Sequence, residues 1–208
     1  MKYPKTLHLP NSFGLTAGDK RIKNLDGLLN KEVIITEKLD GECTSLYFDR
    51  CHARSEDSRN HPSRNWIKNL WGNIKHSIPP NLQLIGENIY AKHSIYYDSL
   101  TTYFYLFAIF DLESKIVLSW NETRKWAKLL DIQTVPILYS GLFIDNFPNP
   151  YASYFGPESE GYIVRLASQF PIDDFQKYTA KYVRKNHVQT DIFWAQNWTK
   201  NQLFTFSE

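Results

Sequence analysis

Glu37-Lys38-Leu39-Asp40-Gly41-Glu42 carries the densest chemistry in the chain. A lysine closes the β-branched run Val33-Ile34-Ile35-Thr36 and enters a tight acidic turn. A solvated lysine has a pKa of about 10.4 and is a poor nucleophile near neutrality. Burial beside other cations, or beside a metal, would lower that value and free the amine. Asp40 could accept the lysine proton, orient the amine or contact a hydroxyl, and these alternatives stay open. Gly41 allows a positive φ in the turn. A Lys-x-Asp-Gly pattern alone also suits an exposed lysine in a surface salt bridge.

Four later segments repeat the pairing of strand and charge. Gly86-Glu87-Asn88 puts a carboxylate behind a glycine, and Phe107-Ala108-Ile109-Phe110-Asp111 ends an apolar run on an aromatic and an acid. Glu160-Gly161-Tyr162-Ile163-Val164-Arg165 opens a strand with a carboxylate. Lys177-Tyr178-Thr179-Ala180-Lys181-Tyr182-Val183-Arg184 sets cations along another. Singly, each fits a structural role.

The elements that must position these residues are mostly strands. Residues 33–37, 44–48, 82–90, 103–112, 116–119, 161–166 and 179–183 are β-branched or aromatic runs bounded by turn formers, and a further short strand lies around Ala53. Ile67, Leu70, Trp71 and Ile74 recur at helical spacing behind Ser63, a candidate N-cap. Asn121 to Leu130 reads as a second helix capped at Asn121. The segment from Met1 to Asn30 reads as loops, and 136–159 as a Pro- and Asn-rich excursion with short elements. Strands with separate helices predict an α+β fold with a mostly antiparallel sheet.

The ordered series resembles the covalent nucleotidyltransferases, which comprise ATP-dependent RNA and DNA ligases and mRNA capping enzymes. Lys38-Leu39-Asp40-Gly41 resembles their motif I, Arg54 the motif Ia arginine, Phe110-Asp111 motif III, Glu160-Gly161 motif IV and Lys181 motif V. Tyr3-Pro4-Lys5, His8-Leu9-Pro10, Tyr90-Ala91-Lys92-His93-Ser94-Ile95 and Asn186-His187-Val188-Gln189-Thr190-Asp191 are similar to a small bacterial and viral RNA ligase group. The resemblance implies an adenylylation domain of two packed, mostly antiparallel sheets with flanking helices. It implies ATP as co-substrate with Mg²⁺ or Mn²⁺, and a lysyl-AMP intermediate on Lys38. Glu37, Glu87, Arg54, Phe110 and Lys181, with Lys177 as a weaker candidate, would hold the nucleotide, Phe110 by stacking on adenine and Lys181 at the α-phosphate. Glu160 would bind metal, assisted by Asp111. The implied partners are RNA ends bearing a 5′-phosphate and a 3′-hydroxyl. DNA nicks, RNA/DNA hybrids, guanylyl transfer, and a non-catalytic nucleic-acid-binding module are the alternatives.

Residues 58–76 hold Arg59, Arg64, Lys68 and Lys75 without an acid, along with Trp66 and Trp71. Such a mixture suits phosphate contact and base stacking, although the tryptophans equally suit a core-facing helix. Lys92, Arg165 and Arg184 are further nucleic-acid candidates, and Lys185 and His187 lie beside the last of these. Overall charge gives no such signal: 24 Lys and Arg against 22 Asp and Glu leave a net +2, so any nucleic-acid contact must be local. Two cysteines exclude a disulfide scaffold and a four-cysteine zinc site. No signal peptide or membrane span is visible, and a cytoplasmic protein is expected. The stretch from Lys181 to Glu208 is too short for an OB barrel, so the expectation is one domain over 1–208.

Overall fold

Val33, Ile34, Ile35 and Thr36 are all buried, as a strand covered on both faces requires. The computed structural model describes residues 1–55, 60–144, 159–185 and 198–205. In chain order the strands are β1 (Leu7–His8), β2 (Glu32–Lys38), β3 (Glu42–Leu46), β4 (Cys51–Ala53), β5 (Leu82–Asn88), β6 (Phe104–Asp111), β7 (Ile116–Val117), β8 (Gln133–Thr134), β9 (Ile137–Leu142), β10 (Gly161–Leu166), β11 (Phe170–Pro171) and β12 (Thr179–Val183). The helices are α1 (Asn65–Ile74), α2 (Trp120–Leu129) and α3 (Phe175–Tyr178).

The strands form two sheets. One runs β1-β12-β10-β2-β9; the other runs β11-β7-β6-β5-β3-β4, with β8 beside β6. Among the described strand pairs, only β1–β12 and β6–β8 are parallel. The fold is therefore α+β with two mostly antiparallel sheets, as expected. α1 and α2 cover the outer face of the second sheet, where Ile67, Ala127 and Leu130 join Leu84, Leu106 and Ile109. Leu9, Ile22 and Leu28, from the N-terminal segment, cover the outer face of the first sheet over Val33, Ile35, Val164 and Ala180. Between the sheets, Ile34 and Leu39 meet Ile89 and Tyr105, while Ile85, Ala108 and Phe110 meet Leu166 and Phe175. Burying one such side chain contributes about 1.5–3 kcal/mol. Among the described residues, no helix is long and apolar enough to cross a membrane.

Several local expectations shift. α2 is capped by Ser119, whose hydroxyl accepts the Glu122 N–H, rather than by Asn121. Ser119-x-x-Glu122 has the spacing of a capping box. Ser63 is not the cap of α1: it lies in a short 3-10 turn, Pro62–Arg64, whose Ser63 N–H donates to His61 Nδ1. β3 ends at Leu46 because Tyr47 N–H bonds to Arg50 O and closes the hairpin. The N-terminal loops contain β1, and 136–159 contains β9; residues 145–158 lie outside the described residues.

Two features bear on the site. The β5–β6 register shifts between Ile85 and Gly86, so that the cross-strand pairing skips Phe107. Such a bulge changes which side chains face inward. Residues 198–205 strap the loop between β5 and β6: the Asn201 side chain donates to Ile89 O at 2.8 Å and accepts from Tyr97 N–H at 3.0 Å.

Candidate active site

Period-two alternation builds the site from three adjacent strands. Thr36 and Lys38 on β2, Ile163 and Arg165 on β10, and Thr179 and Lys181 on β12 all line a cavity of about 660 Å³ between the sheets. The register sets Gly161 opposite Lys38, and Ile163 between Thr36 and Lys181. The second sheet contributes Cys43, Glu87, Phe107, Ala108 and Val117. That volume falls within the range of small-molecule sites.

Two glycines let the strands close around Lys38. A Cβ on Gly161 would lie 2.0 Å from Tyr182 O, and its φ of +151° suits glycine alone. A Cβ on Gly41 would lie 2.6 Å from Asn88 O. Gly41 is not at positive φ, contrary to expectation. It is needed because the turn after Lys38 presses against the end of β5.

Lys38 Nζ lies 2.5 Å from Glu160 Oε2. Burial works against its charge, but Glu160, Glu87 and Asp40 outweigh it and hold the ammonium above the ordinary lysine value. The condition that would lower a lysine, burial beside cations or a metal, is not met, because the nearest groups are carboxylates. Glu87 is the counterpart: burial, helped by Glu160 and Asp40 and opposed by Lys38, pushes its carboxyl up to about 8. The raised value favours the protonated form, which can both donate to and accept from a hydroxyl. Burial, aided by Lys38, lowers Lys181.

Asp40 Oδ2 accepts from Ser94 N–H at 2.7 Å and Ile95 N–H at 2.8 Å. These bonds tie the turn that follows Lys38 to the strapped loop. Glu37 is buried and lines the cavity, and Arg54 is exposed at its edge. His93 also lines it, and burial lowers its pKa against the pull of Asp40 and Glu42.

Other expectations are corrected. Phe110 is fully buried and stacks on Tyr3 at 5.9 Å; the β6 aromatic lining the cavity is Phe107. The bulge moves Phe107 inward, a change of phase that strict alternation along the strand does not show. Asp111 accepts from Asn81 at 3.1 Å and from Glu113 N–H at 3.0 Å, capping the β6–β7 turn away from the cavity. Lys177 is exposed on α3, its ammonium 5.1 Å over the Tyr178 ring, and does not line the cavity.

Of the nucleic-acid candidates, Arg165 is buried and donates to Leu118 O at 2.6 Å and to Phe107 O and Leu166 O at 3.3 Å. It is a wall of the cavity rather than an outer contact. Arg64 pairs with Glu42 through Nε at 2.7 Å. Arg184 Nε donates to Ser159 O at 2.6 Å, and its N–H bonds to Glu160 O, steadying the segment that carries Glu160. Lys92 Nζ lies 6.0 Å from the Tyr96 ring centre. Arg59 and His187 lie outside the described residues. Trp66 packs edge-on against Tyr103, and Trp71 donates to Tyr47 O at 2.7 Å, which are core roles.

The N-terminal segment before β2 contributes Tyr3 and Lys5, from the stretch noted in the sequence, and Thr16 and Asp19, which no motif marks. Only the turn-forming spacing Thr16-x-x-Asp19, with Thr16 N–H donating to Asp19, marks the last of these locally.

The architecture is shared with solved ligases. Naegleria gruberi RNA ligase with PPi superposes with a TM-score of 0.56 at 20% identity, over 86% of this chain and 59% of that one. A variant of that ligase with ATP and Mn gives 0.52 at 17% identity, over 86% and 61%. Another with AMP and Mn gives 0.51 at 18%, over 88% and 62%. At these identities the likeness shows the fold, and the chain spans about three fifths of the length of those ligases. No curated protein matches the chain. The sequence profile of the family described as RNA ligase matches residues 31–183, and a match over well more than half of the chain means that this protein belongs to the RNA ligase family.

Proposed function

We propose that residues 1–208 form an adenylylation domain that joins RNA 5′-phosphate and 3′-hydroxyl ends using ATP. The observation that carries this reading is Lys38 lining a nucleotide-sized cavity, bonded to Glu160 and sharing a cavity face with Lys181. Family membership and the Naegleria ligase solved with PPi or with ATP and Mn support it.

Attack requires a neutral amine, so the Lys38–Glu160 pair must part. Glu160 Oε2, 2.5 Å from Nζ, is placed to take the proton. Lys38 Nζ then bonds to the ATP α-phosphorus as the bond to pyrophosphate breaks. Lys181, on the same face, offsets charge on the α-phosphate. Phe107 offers its ring to the base, and protonated Glu87 suits a ribose hydroxyl. In the second step a 5′-phosphate oxygen displaces Lys38 from AMP. In the third a 3′-hydroxyl displaces AMP and the phosphodiester closes. In-line displacement of this kind draws mostly on positioning.

Among the described residues, no cluster of three or more His, Cys, Asp or Glu side chains could hold a metal by itself. Mg²⁺ or Mn²⁺ nevertheless fits here, because one or two carboxylates with substrate phosphates and waters suffice. Glu160 would hold it, and its chemistry would be to neutralise phosphate charge.

The test is incubation with α-labelled ATP and Mg²⁺, followed by denaturation. Wild type retains the label, and Lys38→Ala loses it entirely. Label kept by the variant would refute the assignment, and binding without adenylylation would favour a non-catalytic module. A panel of RNA, DNA and hybrid ends then identifies which strands are sealed.

A further inference from the structure

We propose that Asp19 is a positioning residue that holds the Lys181 ammonium over the phosphate end of the cavity. The proposal rests on the ligase reading above and deepens it. Asp19 lies outside the span matched to the family, 31–183, yet lines the cavity.

The carboxylate is held from several directions. Oδ2 accepts from Thr16 N–H at 3.1 Å and Thr16 Oγ1 at 2.9 Å. Oδ1 lies 3.2 Å from Lys5 Nζ and 4.0 Å from Lys181 Nζ. Buried His8 stands behind it with Nε2 3.3 Å from Oδ2. His8 is itself pinned to the strand that carries Lys181. It is the register partner of Lys181 in the β1–β12 pair, and its Nδ1 is 2.7 Å from Ser12 Oγ. Ser12 Oγ in turn accepts from Val183 N–H at 3.0 Å. The Asp19 and Lys181 side chains are only 13% and 18% exposed, so this is not a loose surface pair.

This arrangement answers a need of the site. Lys181 faces Lys38 from β2, Glu160 from the start of β10, and Lys5, His8 and Asp19 from the N-terminal segment. Burial and Lys38 both push it toward losing its proton, while Asp19 and Glu160 oppose them. Once Glu160 turns to other work, Asp19 is the carboxylate left to keep Lys181 charged. The Thr16 bonds hold Asp19 in one place, which fixes the point of negative charge 4.0 Å from the ammonium.

The test compares Asp19→Asn, Asp19→Glu, Lys181→Ala and the Asp19→Asn/Lys181→Ala double variant with wild type. Label transfer from α-labelled ATP with Mg²⁺ is followed across pH, and the Lys181 amine is titrated separately by heteronuclear NMR. Asp19→Asn is expected to lower the maximal rate about tenfold while half-saturation by ATP changes less. The alkaline limb should move to lower pH, because loss of the carboxylate lets Lys181 release its proton sooner. Asp19→Glu should restore that limb. In the Lys181→Ala background Asp19→Asn should cost nothing further, since both act through one group.

An unmoved Lys181 titration in Asp19→Asn, or losses that multiply in the double variant, would overturn the proposal. If Asp19→Asn does not fold, Asp19→Ser takes its place, and failure of both neutral variants to fold would make Asp19 a structural residue only. If wild type takes no label, the ligase reading falls, and the NMR titration alone still decides whether Asp19 governs Lys181.

Discussion

The two ends of the cavity are built on opposite principles. Lys38, Glu160, Glu87, Lys181 and Asp19 crowd one end, where no charge is settled by a single partner. Phe107, Val117, Phe170 and Phe175 line the other, and the cation there, Arg165, is spent on backbone carbonyls. The charged end is assembled from chain segments far apart in sequence. The apolar end comes mainly from the β6–β7 hairpin and the segment after β10. An apolar wall needs only shape and volume, which neighbouring elements supply together. Opposed charges must be set at defined distances, and rigid strands from different parts of the chain do this.

The largest expected effect separates packing from binding at the apolar end. Phe110→Ala should cost about 3–5 kcal/mol of stability in denaturant unfolding, because a fully buried ring leaves a cavity. Phe107→Ala should cost less stability and instead raise the ATP concentration needed for half-maximal adenylylation. The reverse pattern would return the stacking role to Phe110.

At the charged end, Glu87 gives stability a pH dependence of definite sign. Burial pushes its carboxyl up to about 8 in the folded protein, against about 4.3 in an unfolded chain. Between those values the native state keeps a proton that the unfolded chain has released. Its contribution is fully present below about pH 4.3 and is lost as pH rises through about 8. Denaturant midpoints of wild type should therefore fall between pH 6 and 9, with a slope of at most ~1.4 kcal/mol per pH unit. Glu87→Gln should flatten this slope, and a variant with the same slope would break the account.

The smallest effect belongs outside both ends. Lys177→Ala, at an exposed position on α3, should change stability by less than about 0.5 kcal/mol and leave adenylylation intact. A strong loss of adenylylation would place Lys177 back in the phosphate site.

Much of this protein was legible from local pattern. β2, β5, β6, β10 and β12 were visible because strands buried on both faces need unbroken apolar runs. A cation and an acid at the ends of those runs marked Lys38 and Glu160, and a cation within the last run marked Lys181. Arg165 and Asp111 were misjudged for one reason: residue type and spacing do not say which way a side chain turns or which carbonyls await it. Phe107 rather than Phe110 lines the cavity because a bulge turns it inward, a departure from the alternation that pattern reading assumes.

By itself the sequence determined the strand set, the α+β class and the order in which its reactive residues appear, because these follow from side-chain shape and hydrophobic periodicity. Only the tertiary structure decided that Lys38 meets carboxylates rather than cations, that Phe107 faces inward and that the N-terminal segment brings Asp19 to Lys181. Electrostatics depends on distances through space, and those distances exist only once the two sheets close on each other.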